Sequence, residues 1–195
     1  YNASKIKLGI KNIREIAEVE GYSFIEINPV FNQNNEKNLI NVNFLINEGP
    51  RVYVNEIDII GNTRTIDRVI RREITLSEGD AYNKYAINYS KDSIRALGFF
   101  SEVEIDEART VFVDKKDLLV KVEEKNTGEA TIGAGYSSST SATLMVGLKE
   151  LNFLGKGQRL NFSSNLSDSR NTYDISFTEP YFNNKPLSLT TKLYS

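Results

Sequence analysis

The sequence predicts an α+β protein whose last third consists of antiparallel strands, and three observations lead to this fold class. First, a pattern of helix, glycine, strand, turn and strand occurs twice, within 13–50 and within 93–128. Second, a strand and a short helix precede the second copy, which gives that copy the order β-α-α-β-β. Third, apolar and polar residues alternate from Thr127 onward in segments of about ten residues, a pattern typical of antiparallel strands.

The composition of the 195 residues excludes several classes of function. A formal net charge of −2 gives no general attraction for nucleic acid, so we expect no nucleic-acid partner. The chain has no cysteine and no histidine, which removes thiolate chemistry, the commonest metal ligand and the commonest general base. We therefore expect no enzyme, no cofactor and no metal site. The chain begins at Tyr1 without an apolar run long enough for a signal peptide or a membrane helix, and we expect a piece of a longer protein.

The repeated unit changes from helix to strand at a glycine. Gly21 and Gly98 stand 77 residues apart, and each follows a predicted helix. In the second copy, Asn83 is placed to cap the start of the helix, and Gly98 to close its end in the left-handed conformation. Phe99 and Phe100 begin the strand, and we interpret them as core residues rather than ligand contacts. The apolar stripe of this helix consists of Ile87, Ser90, Ile94 and Leu97.

The segment before the second copy predicts a strand, a turn and a short helix. The strand covers 52–59, with a change of register near Asn55, and a glycine-asparagine pair at Gly61 marks the turn. Thr65 is predicted to cap the short helix that follows. The first copy lacks such a segment, so the chain is predicted to begin inside a domain.

The last third of the chain alternates strictly between two faces. In each of five segments, bulky apolar residues occupy one face and small or polar residues the other, as in membrane-spanning strands. The turns "NFLGKGQ" and "EPYFNNKP" carry aromatic residues, which suits a membrane interface. The alternation also fits half of a soluble sandwich, and these residues alone leave both alternatives open. The five segments begin near Ala130, Ala142, Arg159, Thr172 and Leu187.

Six stretches carry a resemblance to a known family. "GNTRT", "RREITLSEGDAYN", "RALGFFSEVEID" and "VKVEEKNTGEATIGAGYSS" follow one another in this order, and "ELNFLGKGQ" and "FTEPYF" come later. In order and spacing they resemble the outer-membrane β-barrel assembly family, in which POTRA (polypeptide-transport-associated) domains precede a barrel. The resemblance implies the back part of a penultimate POTRA domain at 1–49, a complete last POTRA domain at 50–125, and the first five strands of a transmembrane β-barrel at 126–195.

This resemblance implies an outer-membrane protein assembly factor rather than an enzyme. Its POTRA domains would lie in the periplasm of a Gram-negative bacterium, receive unfolded outer-membrane β-barrel proteins and dock accessory assembly lipoproteins. Its barrel would lie in outer-membrane lipid, where the first strand opens at a seam and templates the insertion of a client strand. Five strands cannot close a barrel, so we expect an open sheet or pairing with a second copy.

The resemblance also assigns two candidate sites. One is a client-pairing edge in the first barrel strand, which its glycines would weaken. The other is a lipoprotein docking segment formed by Arg71, Arg72 and Glu73, for which the alternative is a solvated helix face. The POTRA strand edges at 23–31 and 100–107 are further places for a client strand to add. The predicted client-pairing edge consists of Thr131, Ile132, Gly133, Ala134, Gly135 and Tyr136.

Three other functions compete with the assembly factor. A related transporter, which secretes a passenger protein through its own barrel, also joins POTRA domains to a barrel. A surface antigen or adhesin would use the periplasmic part as an anchor, but the loops here are short and bland. A soluble carbohydrate- or peptide-binding module would leave the apolar face of the strands at 144–193 unexplained. The transporter is therefore the main alternative.

Overall fold

The computed structural model of the chain describes residues 2–22, 24–34, 39–137 and 141–195. It consists of two compact units, each built from several stretches of the chain. The first unit comprises 1–58, 74–92 and 105–120, and the second comprises 59–73, 93–104 and 121–195.

The first unit begins with a helix and a hairpin. Helix α1 (Ala3–Val19) starts at Asn2, whose side chain accepts hydrogen bonds from two backbone N–H groups of the first turn. Strands β1 (Glu26–Asn34) and β2 (Leu39–Asn47) then pair antiparallel, from Glu26 opposite Asn47 to Asn34 opposite Leu39. A helix, a glycine with positive φ and a hairpin are the elements predicted for the first copy of the repeat.

A three-stranded sheet with two helices forms the second copy of the repeat. The chain order is β3, α2, α3, β4, β5, which confirms the predicted β-α-α-β-β arrangement, and the sheet order is β3-β5-β4. In β3, Val54 and Ile57 are both buried although they stand an odd number of positions apart, three, as the predicted change of register requires. The elements are β3 (Tyr53–Ile60), α2 (Asp67–Arg71), α3 (Lys84–Ala96), β4 (Phe100–Arg109) and β5 (Lys115–Glu124).

Each unit has its own set of buried apolar residues. In the first unit these are Ile25, Ile27, Val54, Ile57, Leu76, Tyr82, Ile87, Leu118 and Val120. In the second unit they are Val69, Ile70, Ile94, Phe99, Phe100, Val103 and Val122. The two predicted core phenylalanines are thus buried, and their rings meet edge to face with centroids 6.1 Å apart.

The ends of helix α3 follow the predicted capping pattern. Asn83 Oδ1 accepts a hydrogen bond from the backbone N–H of Ala86 at 3.1 Å, and Gly98 closes the helix at φ +77°. None of the helices among the described residues is long and apolar enough to cross a membrane.

The predicted cap of helix α2 is wrong. Ile66 occupies the cap position in extended conformation, and no side chain caps this helix. The hydroxyl of Thr65 instead accepts a hydrogen bond from the side-chain amide of Asn152 at 2.8 Å. Asn152, far along the chain, thus engages the hydroxyl group that the local sequence predicted as the cap of α2.

The second unit also contains an open antiparallel sheet of five strands, in the order β10-β9-β8-β7-β6. Sequence neighbours pair throughout, so the sheet is a meander, as predicted for early strands of a barrel. Leu187 precedes the last strand rather than lying within it. The strands are β6 (Gly128–Ser137), β7 (Ser141–Phe153), β8 (Gln158–Ser167), β9 (Thr172–Glu179) and β10 (Leu189–Tyr194).

Candidate functional site

Strand β6 lies at one edge of the five-stranded sheet and contains the whole predicted client-pairing edge. It pairs with β7 in an unbroken register, from Gly128 opposite Glu150 to Ser137 opposite Ser141. Its other side has no strand partner among the described residues. Backbone N–H and C=O groups along that side are free to pair with an added strand.

The register of the sheet sorts its side chains onto two faces as predicted. Gly133 lies opposite Met145 on the polar face, and Ile132 lies opposite Val146 on the apolar face. Ile132 is 78% exposed and Tyr136 is 83% exposed, so the apolar face at this edge is uncovered in the chain. Other apolar residues at least partly exposed on that face are Leu144, Leu148, Tyr173, Ile175 and Leu193. An apolar face of this kind is what acyl chains cover in a membrane sheet.

The three residues of the predicted docking segment have different environments. Arg71 is exposed, and its Nε lies 3.0 Å from Asp67 Oδ2 in a pair one helical turn apart. The side chains of Arg72 and Glu73 are only 16% and 18% exposed, and their Nε and Oε1 atoms lie 3.5 Å apart. The solvated-face alternative therefore describes Arg71 but not its two neighbours.

Tyr181, in the turn between β9 and β10, holds Arg72 and Glu73. The guanidinium carbon of Arg72 lies 3.9 Å from the centre of the Tyr181 ring, a close cation–π contact. The Tyr181 hydroxyl donates a hydrogen bond to Glu73 Oε1 at 3.3 Å. The end of α2 is thus joined to a turn of the sheet.

A second junction, which the sequence analysis missed, centres on Glu124 at the end of β5. Its carboxylate accepts hydrogen bonds from Thr63 Oγ1 at 2.7 Å, from the Arg64 backbone N–H at 3.0 Å and from the Thr65 backbone N–H at 2.6 Å. Burial by itself would raise the pKa of Glu124, whose side chain is 6% exposed. The donated hydrogen bonds outweigh burial and lower the pKa of this carboxyl to about 2. Glu124 therefore stays ionised and fixes the loop before α2.

The turn between β7 and β8 packs directly on the same loop. Besides the bond from Asn152 to Thr65, the backbone N–H of Ile66 donates to the carbonyl oxygen of Gly155 at 3.0 Å. Gly155 has φ +71°, and a Cβ added there would lie 1.9 Å from the carbonyl oxygen of Arg64. The glycines of "LGKGQ" predicted a turn in the sequence, but no local signal named the loop that this turn contacts.

Comparisons with known proteins agree with this architecture. The POTRA family model, described as "Surface antigen variable number repeat", matches residues 52–125. The model described as "Omp85 superfamily domain" matches residues 152–195. The described chain thus contains a POTRA domain followed by strands of an Omp85 barrel, in the order that the sequence predicted.

Individual relatives and solved structures show which members of this family the chain resembles. The chain is 33% identical to outer membrane protein assembly factor BamA of Nitratidesulfovibrio vulgaris over 174 residues, 89% of this chain and 22% of that protein. The crystal structure of Haemophilus ducreyi BamA lacking POTRA domains 1–3 matches all of this chain and 37% of its own chain, at 28% identity and TM-score 0.84. CdiB from Escherichia coli, at 13% identity and TM-score 0.53 over 91% of this chain and 33% of its own, shares the fold alone. The chain belongs to the POTRA-plus-barrel family that includes BamA.

Proposed function

We propose that the chain is part of an outer-membrane protein assembly factor, whose POTRA domains receive unfolded β-barrel proteins and whose first barrel strand templates their insertion. The chain spans 22% of the length of the BamA relative from Nitratidesulfovibrio vulgaris, so this activity belongs to the longer protein. The observation that carries the proposal is the unpaired side of β6, in a sheet whose apolar face is exposed. This family is not a family of enzymes, as predicted.

The edge of β6 has the properties that strand templating needs. A client strand that adds there gains main-chain hydrogen bonds, whatever its exact sequence, provided that its apolar and polar residues alternate in the same way. In the hydrocarbon region water cannot satisfy the edge, so a pairing partner is strongly favoured. Gly133 and Gly135 offer no side chain to lock β6 to a permanent neighbour, which favours exchange of one partner for another.

The domain boundaries and the location of the protein belong to this proposal. Residues 1–49 end a penultimate POTRA domain, residues 50–125 form the last one, and residues 126–195 form the first five barrel strands. The barrel lies in the outer membrane, surrounded by its lipid, and the POTRA domains lie in the periplasm. The matches at 52–125 and 152–195 support this division.

Site-specific photo-crosslinking in the full-length protein tests the proposal. A photoreactive residue in place of Gly133 is expected to crosslink to the C-terminal strand of a nascent outer-membrane barrel protein. The same photoreactive residue in place of Ser163 is the matched control. Ser163 lies on the same face of the sheet as Gly133, but in β8, which has a partner strand on each side. We expect the client crosslink at Gly133 to exceed that at Ser163 by at least about tenfold, because β6, unlike β8, has an unpaired side among the described strands.

Other patterns of crosslinking would contradict the assignment. Equal client crosslinking from Gly133 and Ser163 would mean that the client touches the sheet without pairing with β6. Crosslinking from Thr190 on β10, and none from Gly133, would move the working edge to the other side of the sheet. Contacts of Gly133 only with the protein's own last strand, while a passenger accumulates in the barrel, would establish the transporter alternative.

We further propose that an accessory lipoprotein docks at Arg71, Arg72 and Glu73. Because Arg72 and Glu73 are held by Tyr181, they shape this surface, while Arg71, paired with Asp67, is exposed beside them. Replacing Arg71 with glutamate should weaken lipoprotein binding about tenfold, since it reverses a charge at the rim of the interface. Binding of purified lipoprotein to the full-length protein measures this, with Lys7→Glu, an exposed cation on α1, as control. Equal loss in both variants would show a general charge effect and no docking site.

A further inference from the structure

A cavity of about 530 Å³ lies in the second unit, where helix α2 meets the turn end of the five-stranded sheet. The end of the sheet is the one that carries the β7–β8 and β9–β10 turns, both of which contact the segment at 64–73. The lining of the cavity combines cations from α2 and a turn with aromatic and aliphatic side chains from the sheet and its last turn. These cationic and apolar side chains are Arg68, Arg72, Lys156, Phe177, Phe182 and Leu189.

The apolar half of the cavity continues the apolar face of the sheet. Phe177 lies opposite Leu160 on β8 and opposite Thr191 on β10, in the rows of side chains that form that face. Leu189 lies two residues before Thr191 on the same face, and its side chain is partly exposed. A hydrocarbon chain lying along this face would therefore reach the cavity beside Phe177 and Leu189, where Thr191 and Glu179 are the polar neighbours in the same rows.

The charged half of the cavity has an excess of positive charge. Arg68 and Lys156 are exposed, and Arg68 interacts electrostatically with Glu179, as Arg72 does. The acidic lining residue, Glu179, already accepts hydrogen bonds from Gln158 Nε2 at 2.7 Å and from the Tyr181 backbone N–H at 2.9 Å. Three cations thus face two carboxylates, Glu179 in the lining and Glu73 paired with Arg72, and the remaining excess of positive charge favours an anion.

Arg72, one of these cations, also has a buried donor atom. Its Nε is buried and donates no hydrogen bond within the described part of the chain, although Glu73 Oε1 lies 3.5 Å away. Contact with the Tyr181 ring fixes the plane of the guanidinium, which keeps it at the cavity wall. A fixed guanidinium suits recognition of phosphate oxygens, because its donors are already oriented.

We propose that this cavity binds the phosphate headgroup of an anionic phospholipid, with Arg68, Arg72 and Lys156 around the phosphate and the acyl chains along the face that carries Phe177 and Leu189. The cations lie where the apolar face ends, which is the level at which headgroups meet a membrane protein. Lipid is favoured over soluble phosphate because half of the lining is apolar and continuous with the membrane-facing surface. The inference requires the sheet to lie in a bilayer, and it is independent of client pairing at β6.

Native mass spectrometry of the full-length protein in neutral detergent tests this site. The added probes are phosphatidylglycerol, phosphatidylcholine with matched acyl chains, and glycerol phosphate. The test variant is Arg68→Gln with Lys156→Gln, two exposed positions whose loss should leave the fold intact. The control variant, Arg71→Gln with Lys185→Gln, removes the same charge from exposed positions outside the cavity lining.

We expect phosphatidylglycerol to bind the wild-type protein and the control variant, and to bind the test variant about tenfold more weakly, because two cations near the headgroup are lost. Client crosslinking from Gly133 should persist in the test variant, which separates this site from the proposed assembly function. Equal binding of phosphatidylcholine would overturn the site, since the cations would then select nothing. Equal loss in the control variant would show that only overall charge matters. Binding of glycerol phosphate as tightly as lipid would make the ligand a soluble phosphate and overturn the lipid assignment.

Discussion

Replacing Gly155 with alanine is expected to separate the β7–β8 turn from the loop before α2. The new Cβ would lie 1.9 Å from the carbonyl oxygen of Arg64, so the backbone of the turn and the backbone of the loop have to move apart. The left-handed conformation at φ +71° costs alanine about 1 kcal/mol or more, and two hydrogen bonds, at Thr65 and Ile66, are lost at about 1 kcal/mol each. Together these losses predict local opening that is easier by about 3 kcal/mol.

Hydrogen–deuterium exchange of the full-length protein in micelles measures this opening. The Ile66 amide is expected to exchange about 100-fold faster in the Gly155→Ala variant, as about 3 kcal/mol of local stability implies. Gly98→Ala is the matched control, because Gly98 has a similar φ of +77° but no atom within 4 Å of the added Cβ. That control carries the conformational cost without the clash and should lose only about 1 kcal/mol around its own turn. Unchanged exchange at Ile66 in Gly155→Ala would disprove the junction.

The elements that the sequence predicted correctly are those defined by neighbouring residues. Alternation placed Ile132 and Gly133 on opposite faces of β6, and the register of the sheet confirms it. The change from helix to strand at Gly98 could be predicted from an apolar helical stripe, a capping asparagine and a glycine, all within one short segment. Such signals are local because period and capping depend on residues a few positions apart.

The elements that the sequence analysis missed depend on residues far apart in the chain. Thr65 and Asn152 are 87 residues apart, and their hydrogen bond replaced the predicted helix cap. Tyr181 and Glu73 are 108 residues apart, and their contact removed Glu73 from the predicted solvated face. The family resemblance assigned the predicted docking segment, but it could not tell that one arginine of the pair is exposed and the other is stacked on a tyrosine ring. Long-range polar contacts have no periodic signature in a single sequence.

Glu124 gives the second large effect, because a single carboxylate holds four donors of the loop at 63–65, including Arg64 Nε at 3.5 Å. Replacing it with glutamine keeps the shape but removes the charge, and turns one acceptor oxygen into an N–H₂ group that faces donors. We expect the POTRA portion of the full-length protein to lose about 2–3 kcal/mol, as is typical for hydrogen bonds to a charged group. Urea unfolding followed by the helical circular dichroism signal measures this loss. Glu123→Gln, at the exposed neighbouring position, should change stability by less than about 0.5 kcal/mol.

The pH dependence of this difference provides an independent check on the role of the Glu124 charge. The pKa of Glu124 is lowered from 4.5 to about 2 by folding, so the unfolded chain takes up a proton at a higher pH than the folded chain does. The stability that Glu124 contributes is therefore fully present above about pH 5 and is lost as pH falls towards 2. The gap between wild type and Glu124→Gln should stay constant from neutral pH down to about pH 5 and then shrink. A gap that persists unchanged down to pH 2 would mean that the loss in Glu124→Gln comes from the amide N–H₂ group facing the donors of the loop, and that the charge of Glu124 is not what joins β5 to the segment before α2.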